Sequence, residues 1–200
     1  MCGIVGAIAE RNVVQILLEG LRRLEYRGYD SAGVALLDGA GNLNRERQVG
    51  KVKALSDAIA ENPIKGATGI AHTRWATHGG VNQKNAHPHL SNDRIAVVHN
   101  GIIENYDSLR KELIKRGYIF KSDTDTEVLV NLIEDVKKNE NTKLGKAVQI
   151  ALNQVVGAYA IAVFDKNKPN EIVVARLGSP LAIGIGEDEF FIASDASPFI

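Results

Sequence analysis

The chain has almost no cysteine: Cys2 is the only one, so no internal disulfide can form. A reducing cytoplasm is the simplest compartment for such a protein. It also lacks an excess of charge of either sign. Lys plus Arg and Asp plus Glu number 24 each, which argues against a polyanionic partner such as nucleic acid. No apolar run approaches the roughly 18 residues of a membrane-spanning helix. No basic segment followed by an apolar one opens the chain, so no signal peptide is expected. Repeats, low-complexity segments and linkers are missing too. With 200 residues, 44% of them apolar and 24% charged, the chain suits one globular domain with a sizeable core.

What is present alternates between short β-like runs and helical periodicity. Residues 2–9 read as a strand. Val14, Leu17, Leu18, Leu21 and Leu24 fall at helical spacing and predict a helix ending near Gly28. Residues 34–37 and 44–49 flank Asp38-Gly39-Ala40-Gly41-Asn42, which predicts a hairpin. A short helix is expected over 53–60, with strands at 70–72 and 95–98. Helices follow over 107–116, closed by Gly117, and from Thr124-Asp125-Thr126-Glu127, which has capping-box spacing. Leu144, Val148, Ala151, Leu152 and Val155 mark another. Four strand-like runs come last, at 159–164, 172–175, 181–185 and 189–193, with connections short enough for antiparallel pairing. Strands with segregated helices imply an α+β fold, sheets covered by helices.

Chemistry concentrates in a few segments. Aminopeptidases remove Met1 when the next side chain is small, which would leave Cys2 with a thiol and a free α-amine. An amine titrating near ~8 can act as base beside the thiol, a recognised form of nucleophile activation. A small buried cysteine in a first strand is the plainer alternative. The run His72-Thr73-Arg74-Trp75-Ala76-Thr77-His78-Gly79-Gly80 collects a cation, the only tryptophan, hydroxyls and imidazoles. All five histidines, His72, His78, His87, His89 and His99, lie in this central region. His87-Pro88-His89 invites a metal, but no helical His pair, cysteine cluster or carboxylate partner accompanies it, so no metal site is expected. Loop hydrogen bonding is the plainer role for these imidazoles.

His99-Asn100-Gly101 is placed where the 95–98 strand ends. There an Asn amide and a backbone N–H can form an oxyanion hole, or simply a turn. In Ser122-Asp123-Thr124-Asp125-Thr126-Glu127, helix capping competes with a role for Asp125 in holding an ammonium. Arg74 can grip a carboxylate with two parallel hydrogen bonds. A thiol, an oxyanion hole and an Arg–Asp pair that reads a zwitterion together fit hydrolysis of a side-chain amide on an amino acid.

These segments resemble a known family. Met1-Cys2-Gly3-Ile4-Val5-Gly6, Tyr26-Arg27-Gly28-Tyr29-Asp30-Ser31-Ala32-Gly33, residues 72–79, Asn85-Ala86-His87-Pro88-His89, residues 99–105 and residues 122–127 closely resemble the glutaminase domain of the glutamine–fructose-6-phosphate aminotransferases. The resemblance runs the length of the chain. It implies an N-terminal-nucleophile (Ntn) hydrolase fold, a four-layer αββα sandwich of two antiparallel sheets between helices.

By position, the resemblance has Cys2 attack the glutamine δ-carbonyl to form a γ-glutamyl thioester while its α-amine shuttles protons. It gives the Asn100 side chain and the Gly101 N–H to the oxyanion, Arg74 to the substrate α-carboxylate and Asp125 to its α-ammonium. Thr77 and His78 add hydrogen bonds. Residues 74–80 become a mobile flap in which Trp75 gates ammonia, and Arg27 and His87 are supporting residues. Plain packing of Trp75, Tyr26 and Tyr29 and an Arg27–Asp30 ion pair are the structural alternatives.

The implied partners are L-glutamine and, through sugar-isomerase domains absent from this sequence, fructose 6-phosphate. No cofactor and no metal are implied, and the full-length enzyme is expected to be a homo-oligomer. Residues 1–200 would form one type-2 glutamine amidotransferase domain, cut short at its C-terminal end. The glutaminase domain of another Ntn amidotransferase and a non-catalytic glutamine sensor are the alternatives. The Trp75 segment and the 26–33 run favour the sugar enzyme, and the joint presence of Cys2, Arg74, Asn100, Gly101 and Asp125 argues against the sensor.

Overall fold

Several strands of this protein are apolar on both faces, and a sheet buried on both faces has to lie between two other layers. The computed structural model, which describes residues 2–199, shows those layers. In β1 (Gly3–Ile8), Val5 and Ala7 pack with Leu17, Leu18 and Leu21 of α1 (Val14–Arg23), while Ile4 packs on the other side. In β2 (Ser31–Leu37), Val34 and Leu36 oppose Ala35 and Leu37 in the same way. β6 (Ile95–Ile103) and β7 (Gly157–Asp165) repeat the pattern in a second sheet. Ile95, Val97, Ile161 and Val163 face helices, and Ala96, Val98, Ala160, Ala162 and Phe164 face the first sheet. Small alanines in that middle layer let the sheets approach closely around the fully buried Phe164.

The first sheet has six strands in the order β3-β2-β4-β1-β10-β9, where β3 is Leu43–Val49, β4 Thr68–Arg74, β9 Ala182–Ile185 and β10 Phe190–Ala193. The second has four in the order β5-β6-β7-β8, where β5 is His89–Ser91 and β8 Val173–Leu177. All neighbouring pairs are antiparallel. α1 and α2 (Val52–Glu61) cover the first sheet. The second is covered by α3 (Tyr106–Lys115), α4 (Asp125–Asn139) and α5 (Leu144–Leu152). The result is the expected α+β sandwich of four layers.

The four C-terminal strands do not stay together. β7 and β8 complete the second sheet, and residues 178–181 carry the chain across to the first, where β10 pairs with β1. Ile192 of β10 then joins Ile4 in the layer between the sheets. β5 has no counterpart among the expected strands, being only three residues long. The capping box at α4 is half formed. Thr124 Oγ1 accepts the Glu127 N–H at 3.2 Å. The Glu127 carboxylate turns instead to the backbone N–H groups of Lys121 and Ser122 and to the Ser122 hydroxyl.

Candidate active site

The period of two along a strand already places the site. Ile4, Ile70 and Val98 lie in the layer between the sheets. Counting by twos from them puts Cys2, His72, Arg74 and Asn100 on the same inner faces. They meet at one end of the sandwich, where β1 begins, β4 stops and β6 passes from buried to exposed.

Cys2 is half-buried. Its Sγ accepts the Trp75 N–H at 3.2 Å and lies 3.6 Å from the Trp75 carbonyl, to which the thiol donates. Asn100 Nδ2 donates to the Cys2 carbonyl at 3.1 Å, beside the sulfur. His72 holds that amide in place. Its Nε2 lies 2.9 Å from Asn100 Oδ1 and 3.0 Å from the His99 carbonyl. Both partners are acceptors, so Nε2 carries the hydrogen and the buried Nδ1, which has no partner, is bare. Asn100 is thereby fixed with its donor end toward the cysteine.

Asn100 and Gly101 are not at a strand end, as the sequence suggested. β6 continues to Ile103, and the pair sits in register with Ala160 and Tyr159 of β7. Gly101 has φ of +130°, and a Cβ there would lie 2.0 Å from the Ala158 carbonyl oxygen. Glycine is required by the crossing backbone of β7, not by a turn.

Arg74 ends β4, is buried, and spends its guanidinium on the loop that follows, donating to the carbonyls of His78, Gly79 and Gly80. Asp30 Oδ2 fastens the same loop by accepting the Ala76 N–H. Thr77 Oγ1 and His78 Nδ1 are 3.4 Å apart, and His78 Nδ1 stands 3.9 Å from Asp125 Oδ2. Asp125, the first residue of α4, is buried and accepts the Ile103 N–H at 2.9 Å. The Trp75 side chain is half-exposed and packs on Gly28, where a Cβ would meet the ring at 2.7 Å.

Cys2, Arg74, Thr77, His78, Gly101 and Asp125 enclose a chamber of about 20 Å³, room for about one water. On the other side of the cysteine, Arg27, Trp75, Ile102 and Pro180 border a cleft of about 420 Å³. A chamber of that size does not hold an amino acid as it stands.

Burial raises the Cys2 thiol above its ordinary pKa, while the Trp75 N–H and the charge of Arg74 pull it back. Two of the five imidazoles, His78 and His87, hydrogen-bond from loops as expected, and the other three do so from strands. His72, His87, His89 and His99 are buried, and three of them lie on β4, β5 and β6. Burial pushes His72 down to about 3 and lowers the other three as well, so all four stay neutral at pH 7. The His87 ring stacks on His72 at 4.1 Å. Thr126 Oγ1 bridges His87 Nε2 and His99 Nδ1 at 2.9 and 3.0 Å, and Thr124 Oγ1 meets His89 Nε2 at 3.1 Å. Neighbouring His87 and His89 thus address two different threonines. Among the described residues no group of three or more His, Cys, Asp or Glu side chains is placed to hold a metal.

Arg27 pairs with Asp195 at 3.6 Å and donates to Ser194 Oγ at 3.1 Å, so the Arg27–Asp30 ion pair is replaced by a contact no local pattern could reveal. Ser194 Oγ in turn accepts the Ile4 N–H at 3.0 Å, so Arg27 braces the start of β1 against the end of β10. Tyr26, expected to pack, is largely exposed and donates to Asp195 at 2.6 Å. Sequence reasoning gave no role to Thr126 or Ser194, and took Asp30 only as an ion-pair partner of Arg27 and His72 only as one of the hydrogen-bonding imidazoles. His72 and Thr126 stood inside segments already singled out, which was their only signal. Met1, and with it the freeing of the Cys2 amine, lies outside the described residues.

The glutamine amidotransferase domain family matches residues 72–200. The chain is 57% identical over 201 residues to the glutamine–fructose-6-phosphate aminotransferase [isomerizing] of Bacteroides thetaiotaomicron, covering 100% of this chain and 33% of that protein. It is 60% identical over 195 residues to the enzyme of the same name from Idiomarina loihiensis, covering 98% and 32%. The chain therefore spans about a third of the length of the curated relatives it matches. Among solved structures it is similar to the glutamine phosphoribosylpyrophosphate amidotransferase of B. subtilis complexed with ADP and GMP. That likeness has a TM-score of 0.84 at 30% identity and covers 99% of this chain and 43% of that one.

Proposed function

Because the chain belongs to the glutamine amidotransferase family, we propose that it hydrolyses the side-chain amide of L-glutamine through Cys2. Its fold is that of the Ntn amidotransferases. The observation that carries the reading is the position of Cys2 Sγ. It stands at the mouth of a chamber lined by Arg74 and Asp125, with the Asn100 amide donor fixed beside it.

In this reading the Cys2 sulfur bonds to the glutamine δ-carbon and its proton passes to the α-amine of the processed residue. Charge that develops on the δ-oxygen is met by Asn100 Nδ2 and the Gly101 N–H, each donor contributing about 3 kcal/mol. The carbon–nitrogen bond then breaks, ammonia leaves with the returned proton, and a γ-glutamyl thioester remains. Water adds to the thioester and releases glutamate and the free thiol. Burial keeps the thiol protonated at rest, so a base has to act at the moment of attack. Arg74 would receive the substrate α-carboxylate by exchanging the loop carbonyls it now holds. Asp125 would receive the α-ammonium, with Thr77 and His78 adding hydrogen bonds and Trp75 closing over the top. Arg27 and His87 support the site from behind.

Residues 1–200 serve in this reading as the glutaminase domain of a longer protein that delivers the ammonia to fructose 6-phosphate. Identities of 57–60% to the fructose-6-phosphate enzymes, against 30% to the phosphoribosylpyrophosphate enzyme, support that acceptor. A lone thiol nucleophile fits a reducing cytoplasm. Intact mass and glutamine hydrolysis, measured on one sample with Cys2→Ala as control, test the proposal. Mass without Met1 and glutamate release only when Cys2 is present are expected. A processed, folded protein that binds glutamine without hydrolysing it would overturn the reading.

A further inference from the structure

A much larger cavity, about 780 Å³, opens between β3 and α4, away from Cys2. The first turn of α4 separates the two: Asp125 and Thr126 line the chamber, and Glu127 lines the cleft. Its volume lies within the ~300–1,000 Å³ of small-molecule sites.

One wall carries Arg45 and Arg47, at alternate positions of β3 and therefore on one face of it. Among the described residues neither has a carboxylate within ion-pairing distance. Arg45 Nη1 donates to the Pro88 carbonyl at 3.3 Å, and Arg47 Nη1 to those of Lys84 and Ala86 at 3.1 and 2.8 Å. Each guanidinium carries five N–H donors, so most remain free. Burial lowers both, and with the adjoining charge of Arg45 it brings Arg47 down to about 10. The charges of Asp93 and Glu127 on Arg45, and of Glu127 and Glu46 on Arg47, offset part of this, and a bound anion would offset more.

The opposite wall carries two buried polar atoms without partners, Asn131 Nδ2 and Glu134 Oε2, on residues only 4% and 7% exposed. Glu134 Oε1 is already used, accepting from Asn92 Nδ2 at 3.0 Å. Of the other charged groups around the cleft, Glu127 is held by the 121–122 backbone, Asp135 by Arg116 and Lys84 by Asp123, while Asp93, whose charge acts on Arg45, Lys121 and Lys138 also line it. A native structure seldom leaves a buried donor and a buried acceptor both unpaired.

We propose that this cleft binds a small anion bearing hydroxyl groups, of the phosphorylated-polyol class. The phosphate sits between Arg45 and Arg47, and the Glu134 and Asn131 side chains, whose unpartnered atoms lie just beneath the cleft surface, turn to meet a ligand hydroxyl and a ligand oxygen. Two guanidiniums side by side match a dianion better than a singly charged carboxylate. The proposal does not depend on glutamine chemistry.

Isothermal titration with sn-glycerol 3-phosphate and with inorganic phosphate tests it, with hydrogen exchange mapping the segments that become protected. Saturable binding of both, tighter for the polyol phosphate, is expected, with protection confined to residues 45–47 and 131–134. Arg45→Gln should weaken both ligands about tenfold or more, the loss of a charge-assisted hydrogen bond. Glu134→Gln keeps an oxygen for Asn92 and should remove the advantage of the polyol over inorganic phosphate. No saturable binding, protection elsewhere, or binding unchanged in both variants would overturn the proposal. The wild-type map decides the matter even if a variant fails to fold.

Discussion

The two sheets contribute unlike parts to one site. The six-stranded sheet brings the thiol and the cation, Cys2 at the start of β1 and Arg74 at the end of β4. The four-stranded sheet, with α4 behind it, brings the groups suited to receive charge: Asn100, Gly101 and Asp125. Neither sheet holds a complete constellation. A site assembled across two sheets depends on how they sit on one another, which the apolar layer between them sets, while the bonds of His72 and Asn100 cross between the sheets at the site itself.

Removing the receiving side alone gives the largest effect beyond loss of the nucleophile. Asn100→Ala should lower kcat for glutamine hydrolysis about 10²–10³-fold while the thiol still reacts with an alkylating agent. Equal loss of thiol reactivity and hydrolysis would mean that Asn100 supports Cys2 itself, and the division between the sheets would fail.

The buried imidazoles sharpen the comparison through pH, because His72 comes from the first sheet and His89 and His99 from the second. Their folded pKa values are depressed below the ordinary 6.5, His72 to about 3. As pH falls below 6.5 the unfolded chain takes up protons that the folded chain refuses. The stabilisation is therefore complete above about pH 6.5 and is lost as pH falls from there through about 3. His72 should contribute a slope of about 1.4 kcal/mol per pH unit in that window, and His89 and His99 add to it in the same direction. Urea unfolding at pH 7.5 and at pH 5 reads it. Equal stability at the two values would show that the imidazoles are not held neutral.

A smaller effect is expected from the bond that joins the sheets. His72→Leu should lower kcat about tenfold with little change in KM, since only the aim of the Asn100 amide is lost. His72→Gln, whose amide nitrogen can stand in for Nε2, should recover most of it. Failure of Gln to rescue would make His72 a packing residue and no more.

Much of this architecture is readable in one dimension. Apolar runs at 34–37 and 95–98, Gly117 behind α3 and the Thr124 cap all follow local rules, and each element lies close to its expected place. Errors arise where a distant backbone overrides a local preference. Asn100-Gly101 reads as a turn until β7 is laid beside it, and Arg27-Asp30 reads as an ion pair until β10 brings Ser194 and Asp195 under Arg27. The strand at 70–72 is legible, but the role of His72 is not, because its partner, Asn100, is 28 positions away.

The order of residues by itself determined the composition of the site. It placed a lone thiol at position 2, a cation near the end of a strand, and a carboxylate on a helix start, because strand and helix periods are local properties. It also determined which strands would be apolar on both faces, and hence that each sheet would be covered on both sides. Only the tertiary structure decided how the C-terminal strands divide between the sheets, which imidazole aims the Asn100 amide, and that Arg45 and Arg47 look across a cleft at two unpaired atoms of α4. Those outcomes depend on contacts between segments far apart in the chain, and such contacts are set by the packing of whole layers rather than by neighbouring residues.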